Sequence, residues 1–361
     1  MKSRSLPLWG LFLGLTLATG CTPSAENTGT TESNTGTETT ETETTGEINL
    51  YSSRHYDTDR ELYEAFSEAT GIKVNLIEGS DDELLERIKA EGENSPADVL
   101  ITVDVARLWR AQQDGLLQPT DSEVLTSAIP AELRSSDNTW FGLTKRARVI
   151  AYNTQKVQPS ELSTYEDLAD PKWQGRVCVR SSGNTYNQSL VAAKIVEKGA
   201  EATEEWVKGL VANFAREPEG NDTAQIEAVA AGICDVALVN SYYIARLRAS
   251  EDPKDQEIVA NIGAFFPNQN DGGTHINISG AGVIANAPHP EAAKEFLEFM
   301  VTPEAQEIFA NNNNEYSVVA GIAPNAVVAE FGEWTASTLA LESFGEKNAE
   351  AVMIMDRAGW K

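Results

Sequence analysis

Three tyrosine-bearing groups carry the chemistry this sequence offers: His55-Tyr56, Tyr186 within Asn184-Thr185-Tyr186-Asn187, and the pair Tyr242-Tyr243. Each follows an apolar run that reads as a strand and precedes a stretch with helical periodicity, the place where open α/β sheets hold ligands. A lone tyrosine at a helix start ordinarily packs its ring and wets its hydroxyl. Three groups at one topological place are different, because four phenols and an imidazole facing a shared cleft suit a hard, highly charged cation. Phenolate oxygen is a hard anionic donor, like the carboxylates that hard cations prefer, and it ligates ferric haem iron. A free phenol has a pKa of about 10, so a metal must displace its proton and binding must weaken as pH falls. A helix starting beside the donor favours the negative charge. Four phenolates around Fe(III) leave excess negative charge, which Arg54, Arg148 or Arg246 would offset.

Other chemistries lack their residues. There is no G-x-S-x-G elbow, no P-loop, no G-x-G-x-x-G after a strand, no H-E-x-x-H and no C-x-x-C. His275 in a loop and His289 between two prolines read as surface residues, and Gly280-Ala281-Gly282 reads as close packing of a strand. Lys and Arg number 28 against 55 Asp and Glu, a formal net charge of −27. That sign argues against nucleic acid or anionic lipid as partners. With 361 residues, 41% of them hydrophobic, the chain can bury the cores of about two domains.

The segments that must position the tyrosines can be read in order. Residues 1–21 open with Lys2 and Arg4, continue as an apolar run over 6–18 and end in Leu17-Ala18-Thr19-Gly20-Cys21, the form of a secretory leader. The ending resembles a bacterial lipobox, in which Cys21 is lipidated; ordinary cleavage nearby is the alternative. Residues 22–46 are almost only Thr, Glu, Ser, Asn and Gly and read as a solvated tether. The body from Glu47 remains acidic, since the leader holds only two cations and the tether five glutamates.

Within the body, 48–52, 72–77 and 97–103 read as strands separated by helices. The first helix shows Leu62, Ala65, Phe66 and Ala69 on one face and stops at Gly71. The second starts from a Ser80–Glu83 capping box and carries Leu84, Leu85 and Ile88. The alternation returns as strand 176–180, helix 186–198, helix 223–231 and strand 234–239. Two α/β lobes result, with parallel strands and helices on both faces. Extended segments at 141–153 and 276–287 cross between the lobes and make a hinge. The expected first lobe is 47–145 plus about 277–325, and the second is 146–276 plus about 326–361. Asn311 to Asn314 read as a polar loop beyond a helix at 290–300.

Four segments carry a family resemblance: Tyr51-Ser52-Ser53-Arg54-His55-Tyr56, Arg180-Ser181-Ser182-Gly183-Asn184-Thr185-Tyr186-Asn187-Gln188-Ser189, Gly220-Asn221-Asp222-Thr223 and Asn240-Ser241-Tyr242-Tyr243. Broader support comes from Thr144-Lys145-Arg146-Ala147-Arg148 leading to Tyr152-Asn153, and from Pro290-Glu291-Ala292-Ala293-Lys294 with Pro303-Glu304-Ala305-Gln306. Over nearly all of 47–361 the chain resembles the ferric-iron-binding periplasmic proteins of ABC transporters, most of all the cyanobacterial FutA or IdiA type. The resemblance implies iron ligands at His55, Tyr56, Tyr186, Tyr242 and Tyr243. It also implies a two-lobed, hinge-closing α/β fold of the periplasmic binding protein type II (transferrin-like) class. Some members hold a synergistic anion beside the metal, and Arg148 is the position where one would be met. Some relatives use a twin-arginine leader, which Lys2-Ser3-Arg4 is not. Cys178 and Cys234 fall on strands that the second lobe makes neighbours in an oxidising setting, so a disulfide and two buried thiols both fit.

The reading is a periplasmic receptor, lipid-anchored if Cys21 is modified, that closes on Fe(III), with Fe(II) as a further cargo. It acts as a monomer, performs no covalent chemistry and delivers iron to the permease and ATPase of an ABC importer. A receptor of the same fold for another solute is the alternative, though an organic ligand would not need five donors at three strand ends. A metal-dependent enzyme comes third, because five protein donors leave no open position for water or substrate.

Overall fold

The computed structural model describes residues 46–54 and 56–361; Cys21, the leader, the tether up to residue 45 and His55 lie outside the described residues. β1 (Glu47–Ser52) leads through a loop to α1 (Asp59–Thr70), which buries Leu62, Tyr63 and Phe66 and leaves Ala69 exposed. Gly71 ends it at φ 74°, a left-handed cap that glycine takes without strain. β2 (Lys73–Glu78) follows. Ser80 and Glu83 then form the reciprocal capping box that opens α2 (Asp81–Glu91). β3 (Val99–Thr102) feeds α3 (Val105–Gln113), and the short α4 (Glu123–Ala128) comes next. β1 pairs in parallel with both β2 and β3, as helical crossovers require.

The second part contains β4 (Phe141–Asn153), β5 (Val177–Cys178), α5 (Thr185–Lys198), α6 (Ala200–Ala212), α7 (Asp222–Ala230), β6 (Val236–Asn240) and α8 (Ser241–Ala249). After α9 (Pro253–Val259) and β7 (Ile262–Phe265), the chain returns through β8 (Ile276–Val283). It finishes with α10 (Pro290–Phe299), α11 (Pro303–Asn313), β9 (Tyr316–Ser317), α12 (Ala326–Ala329) and α13 (Glu342–Arg357).

β4 changes partners midway. Up to Ala147 it lies antiparallel to β8, which pairs onward with β3. From Arg148 it lies antiparallel to β6, and from Ile150 also to β7. Among the described residues, nine strands therefore join in the order β2-β1-β3-β8-β4-β6-β5, with β7 and β9 also on β4. Gly280 and Gly282 let β8 nest closely. A Cβ at Gly280 would stand 2.7 Å from both a Leu108 methyl and the Phe141 carbonyl oxygen, and one at Gly282 would stand 2.5 Å from the Thr139 carbonyl oxygen.

Several expectations change. The strand expected over 176–180 shrinks to Val177–Cys178, since the Arg180 carbonyl accepts from Trp360 Nε1 and its side chain turns to Asp222. Asn311 to Asn313 continue α11, where Asn313 binds Asp59, and Asn314 leaves the helix at φ 57°. His275 is buried instead of exposed, its ring 5.0 Å from that of Phe344. Burial, reinforced by the charges of Lys194 and Arg148, pushes its pKa down to about 3. α13 packs on α5, α6 and α3.

Cys178 and Cys234 are joined as a disulfide, with Cα atoms 5.9 Å apart. A link spanning 56 residues is worth about 4 kcal/mol in the chain-entropy account. The double variant Cys178→Ser, Cys234→Ser should unfold at a clearly lower urea concentration than the oxidised protein. Equal midpoints would show that the bond carries no such weight.

Candidate metal centre

The structure gathers the four sequence-predicted tyrosines. Tyr56 sits in the loop from β1 to α1, Tyr186 is the second residue of α5, and Tyr242 and Tyr243 are the second and third of α8. The Tyr56 hydroxyl donates to that of Tyr242 at 3.0 Å, and the Tyr186 and Tyr242 oxygens lie 3.5 Å apart. The Tyr243 ring lies 4.3 Å from that of Tyr242, tilted 30° to it. Asn184 caps α5 by accepting from the Asn187 amide. Asn240 opens α8 without capping it, because its Oδ1 accepts from Arg148 Nη1 at 3.0 Å. His55 lies outside the described residues.

Burial raises all four phenols above their ordinary pKa, and repulsion from the other phenols when ionised adds to it at Tyr186, Tyr242 and Tyr243. Glu315 reinforces the rise at Tyr56 and Asp222 at Tyr243. Arg54, Arg146 and Arg180 pull the other way. Without a metal the cluster is therefore neutral phenol. A cation that displaces the protons gains four convergent oxygen donors.

Five guanidinium groups surround the rings. Arg54 stands 4.8 Å from the Tyr56 centroid, and Arg146, Arg148 and Arg180 stand 5.9, 5.9 and 5.6 Å from that of Tyr186. Arg246 lies 5.0, 5.7 and 5.6 Å from Tyr56, Tyr242 and Tyr243. Arg54 is committed to its own loop, holding Asp59 through two nitrogens at 2.8 and 3.0 Å and reaching Glu315 at 3.0 Å. Arg146 shares Glu315 at 3.8 Å and donates to the Val103 carbonyl at 3.0 Å. Arg148 binds Asp222 and Asn240, both at 3.0 Å, and Asn187 at 2.8 Å, so both of its terminal nitrogens already have protein partners. Arg180 takes the other oxygen of Asp222 at 3.5 Å. Arg246 is exposed and makes no ion pair among the described residues. Of the three arginines expected to balance charge, it alone keeps its charge free of a carboxylate.

Beside the rings lies a cavity of about 250 Å³, lined by Ser53, Tyr56, Asp81, Arg180, Tyr186 and Tyr243 among others. Among the described residues no three His, Cys, Asp or Glu side chains converge as a metal group. No role for Arg146, Arg180, Asp222 or Glu315 could be read in advance. Arg146 and Arg148 did leave a signal, since two arginines two apart share one face of a strand that turns apolar from Val149. Glu315 left none, for 261 residues separate it from Arg54.

The sequence pattern of the family described as "Bacterial extracellular solute-binding protein" matches residues 61–337. Iron uptake protein A1 of Synechocystis is 61% identical over 315 residues, covering 87% of this chain and 88% of that protein. The Trichodesmium IdiA or FutA protein, solved in complex with iron and citrate, is 60% identical with a TM-score of 0.84, over 88% of this chain and 100% of that one. The ferric binding protein of Campylobacter jejuni is 40% identical with a TM-score of 0.85, over 87% and 100%. These likenesses agree with the expected two-lobed periplasmic binding protein type II fold and its hinge of crossing strands. With four phenols meeting at the ends of three strands of such a fold, the chain belongs to the bacterial extracellular solute-binding protein family.

Proposed function

We propose that the chain is a periplasmic receptor that closes on ferric iron and passes it to an ABC importer. The observation that carries this is the convergence of four tyrosines, with the Tyr242 oxygen 3.0 and 3.5 Å from those of Tyr56 and Tyr186 and its ring 4.3 Å from that of Tyr243. In this reading Tyr56, Tyr186, Tyr242 and Tyr243 bind the metal as phenolates and His55 adds a neutral imidazole. The names of the relatives, an iron uptake protein and a ferric binding protein, point to the same cargo. Binding and release need no covalent step, and the relatives are solute receptors.

The finer parts of the reading rest on the sequence. Fe(II) is a further cargo, the permease and ATPase of the importer are the partners, and the receptor works as a monomer. Lipidation at Cys21 would hold it to a membrane by the Thr- and Glu-rich tether. Citrate accompanies iron in the Trichodesmium structure. A carboxylate co-ligand here would meet Arg180 in the adjoining cavity, since Arg148 is engaged by Asp222, Asn240 and Asn187. A receptor for an organic solute of the same fold would have no use for four clustered phenols.

Titrating the body from Glu47 onward with ferric citrate at neutral pH should produce a visible phenolate-to-iron band that saturates at one equivalent. Because burial raises the phenols in the free protein, several protons leave as iron binds, so the band should fade steeply as pH drops. A protein that stays colourless at saturating iron would refute the tyrosinate site.

Tyr242→Phe removes only a hydroxyl, so the melting temperature should barely move while iron affinity falls about 100-fold or more, at or beyond what losing a mere supporting partner costs. His55→Ala should cost less, because imidazole brings no charge. Wild-type affinity in both Tyr242→Phe and Tyr243→Phe, or a His55→Ala loss as large as that of Tyr56→Phe, would contradict these assignments.

A further inference from the structure

Arg180 reaches the cavity beside the tyrosines from a stretch of chain that no strand ladder holds, because β5 ends at Cys178. Its own side-chain bonds do little to aim it. Nη1 meets Asp222 at 3.5 Å, and among the described residues the buried Nε has no hydrogen-bond partner. Arg148, by contrast, is fixed by three bonds of 2.8 to 3.0 Å. Where the Arg180 guanidinium points is therefore decided chiefly by the backbone that carries it.

That backbone is fastened from the far end of the sequence. The Arg180 carbonyl accepts from Asn187 Nδ2 at 3.0 Å and from Trp360 Nε1 at 2.9 Å. The Ser182 amide donates to the Lys361 main-chain oxygen at 2.9 Å, and the Ser182 carbonyl accepts from Gln188 Nε2 at 2.9 Å. Trp360 is itself immobilised. It is 2% exposed, its ring meets that of Phe214 edge-on at 5.4 Å, and its amide donates to the Met355 carbonyl across a turn in which Gly359 stands at φ 79°. Phe214 bridges in turn to Val177, the first residue of β5. Packing on Phe214 needs only a ring, which phenylalanine would supply. A buried indole spends its N–H on a partner, and here that partner is the carbonyl of the arginine lining the cavity.

Building on the ferric-site reading above and its carboxylate co-ligand, we propose that Trp360 is a positioning residue for that co-ligand: it holds the Arg180 main chain so that the guanidinium faces a carboxylate in the cavity, where its fork of donors matches the two oxygens. Trp360 touches neither the metal nor the anion. Its effect is confined to the anion, because the helix start that presents Tyr186 is fixed separately, by the Asn184 cap and by the bond from Arg148 to Asn187.

The test separates iron from anion. Iron is supplied as ferric acetohydroxamate, a carrier without a carboxylate, and the phenolate-to-iron band is recorded; citrate is then titrated in and the shift of the band followed. Trp360→Phe, which keeps the ring and loses the N–H, should show the wild-type band before citrate and need about tenfold more citrate for half the shift, within the range that outer partners of a metal site command. Arg180→Gln should also raise the citrate half-point, and adding Trp360→Phe to it should change nothing further, since two residues that act through one contact are not additive. Trp360→Met, equally apolar and without a donor, should match Trp360→Phe and covers the case in which the latter folds poorly. Wild-type citrate half-points in both Trp360 variants would overturn the proposal. So would an undiminished effect of Trp360→Phe in the Arg180→Gln background, or a band already lost before citrate, which would make Trp360 a support of the tyrosines. A wild-type band that citrate does not shift would remove the co-ligand and this role with it, and a wild type with no band at all would remove the ferric site itself.

Discussion

A guanidinium taken out of water must be met by carboxylates or fixed dipoles, and Arg54, Arg146 and Arg148 impose that demand at the centre of the molecule. Their partners do more than neutralise them. Arg54 lies two residues before Tyr56, Asn187 directly follows Tyr186, and Asn240 lies two residues before Tyr242; each is held in the arginine network. The phenols are therefore aimed through their chain neighbours, and the Tyr56 and Tyr186 hydroxyls meet that of Tyr242. That division of labour explains why so much buried charge surrounds a cluster of phenols.

The same arginines stand on the hinge. β4 hands over from β8 to β6 at Ala147 and Arg148, so Arg146 and Arg148 sit on either side of the partner change and serve both halves of the cleft. The Tyr165 hydroxyl donates to the Arg148 carbonyl and accepts from the His275 amide, fastening the crossing point from a third direction. The chain as a whole is strongly acidic, with a net charge of −27, while the space around the tyrosine rings is lined with arginines.

Much of the fold was legible because local signals agreed with one another. The Ser80–Glu83 box, the Gly71 cap, the full extent of β4 and the tight Gly280-Ala281-Gly282 crossing could all be read from neighbours in sequence. The tyrosines were legible because strand ends in α/β sheets are where ligands bind. What escaped notice depended on distant residues. Polarity marked Asn311 to Asn313 as loop, yet a hydrogen bond from Asn313 to Asp59 is made with these residues in helix. His275 was mistaken for a surface residue because nothing near it in sequence announces Phe344. Arg148 had the charge for an anion site, and only the folded chain reveals that Asp222, Asn240 and Asn187 already occupy it.

The reach of the Arg54 network has a consequence for how the chain is made. Arg54 bonds Ser279 and Glu315, which follow it by 225 and 261 residues. Beside its local bond to Asp59, the loop bearing Tyr56 therefore gains these long-range anchors only after most of the polypeptide has been synthesised. Closing such long loops before any reward is collected slows folding. An amino-terminal fragment lacking Ser279 and Glu315 leaves the Arg54 guanidinium short of two of its partners.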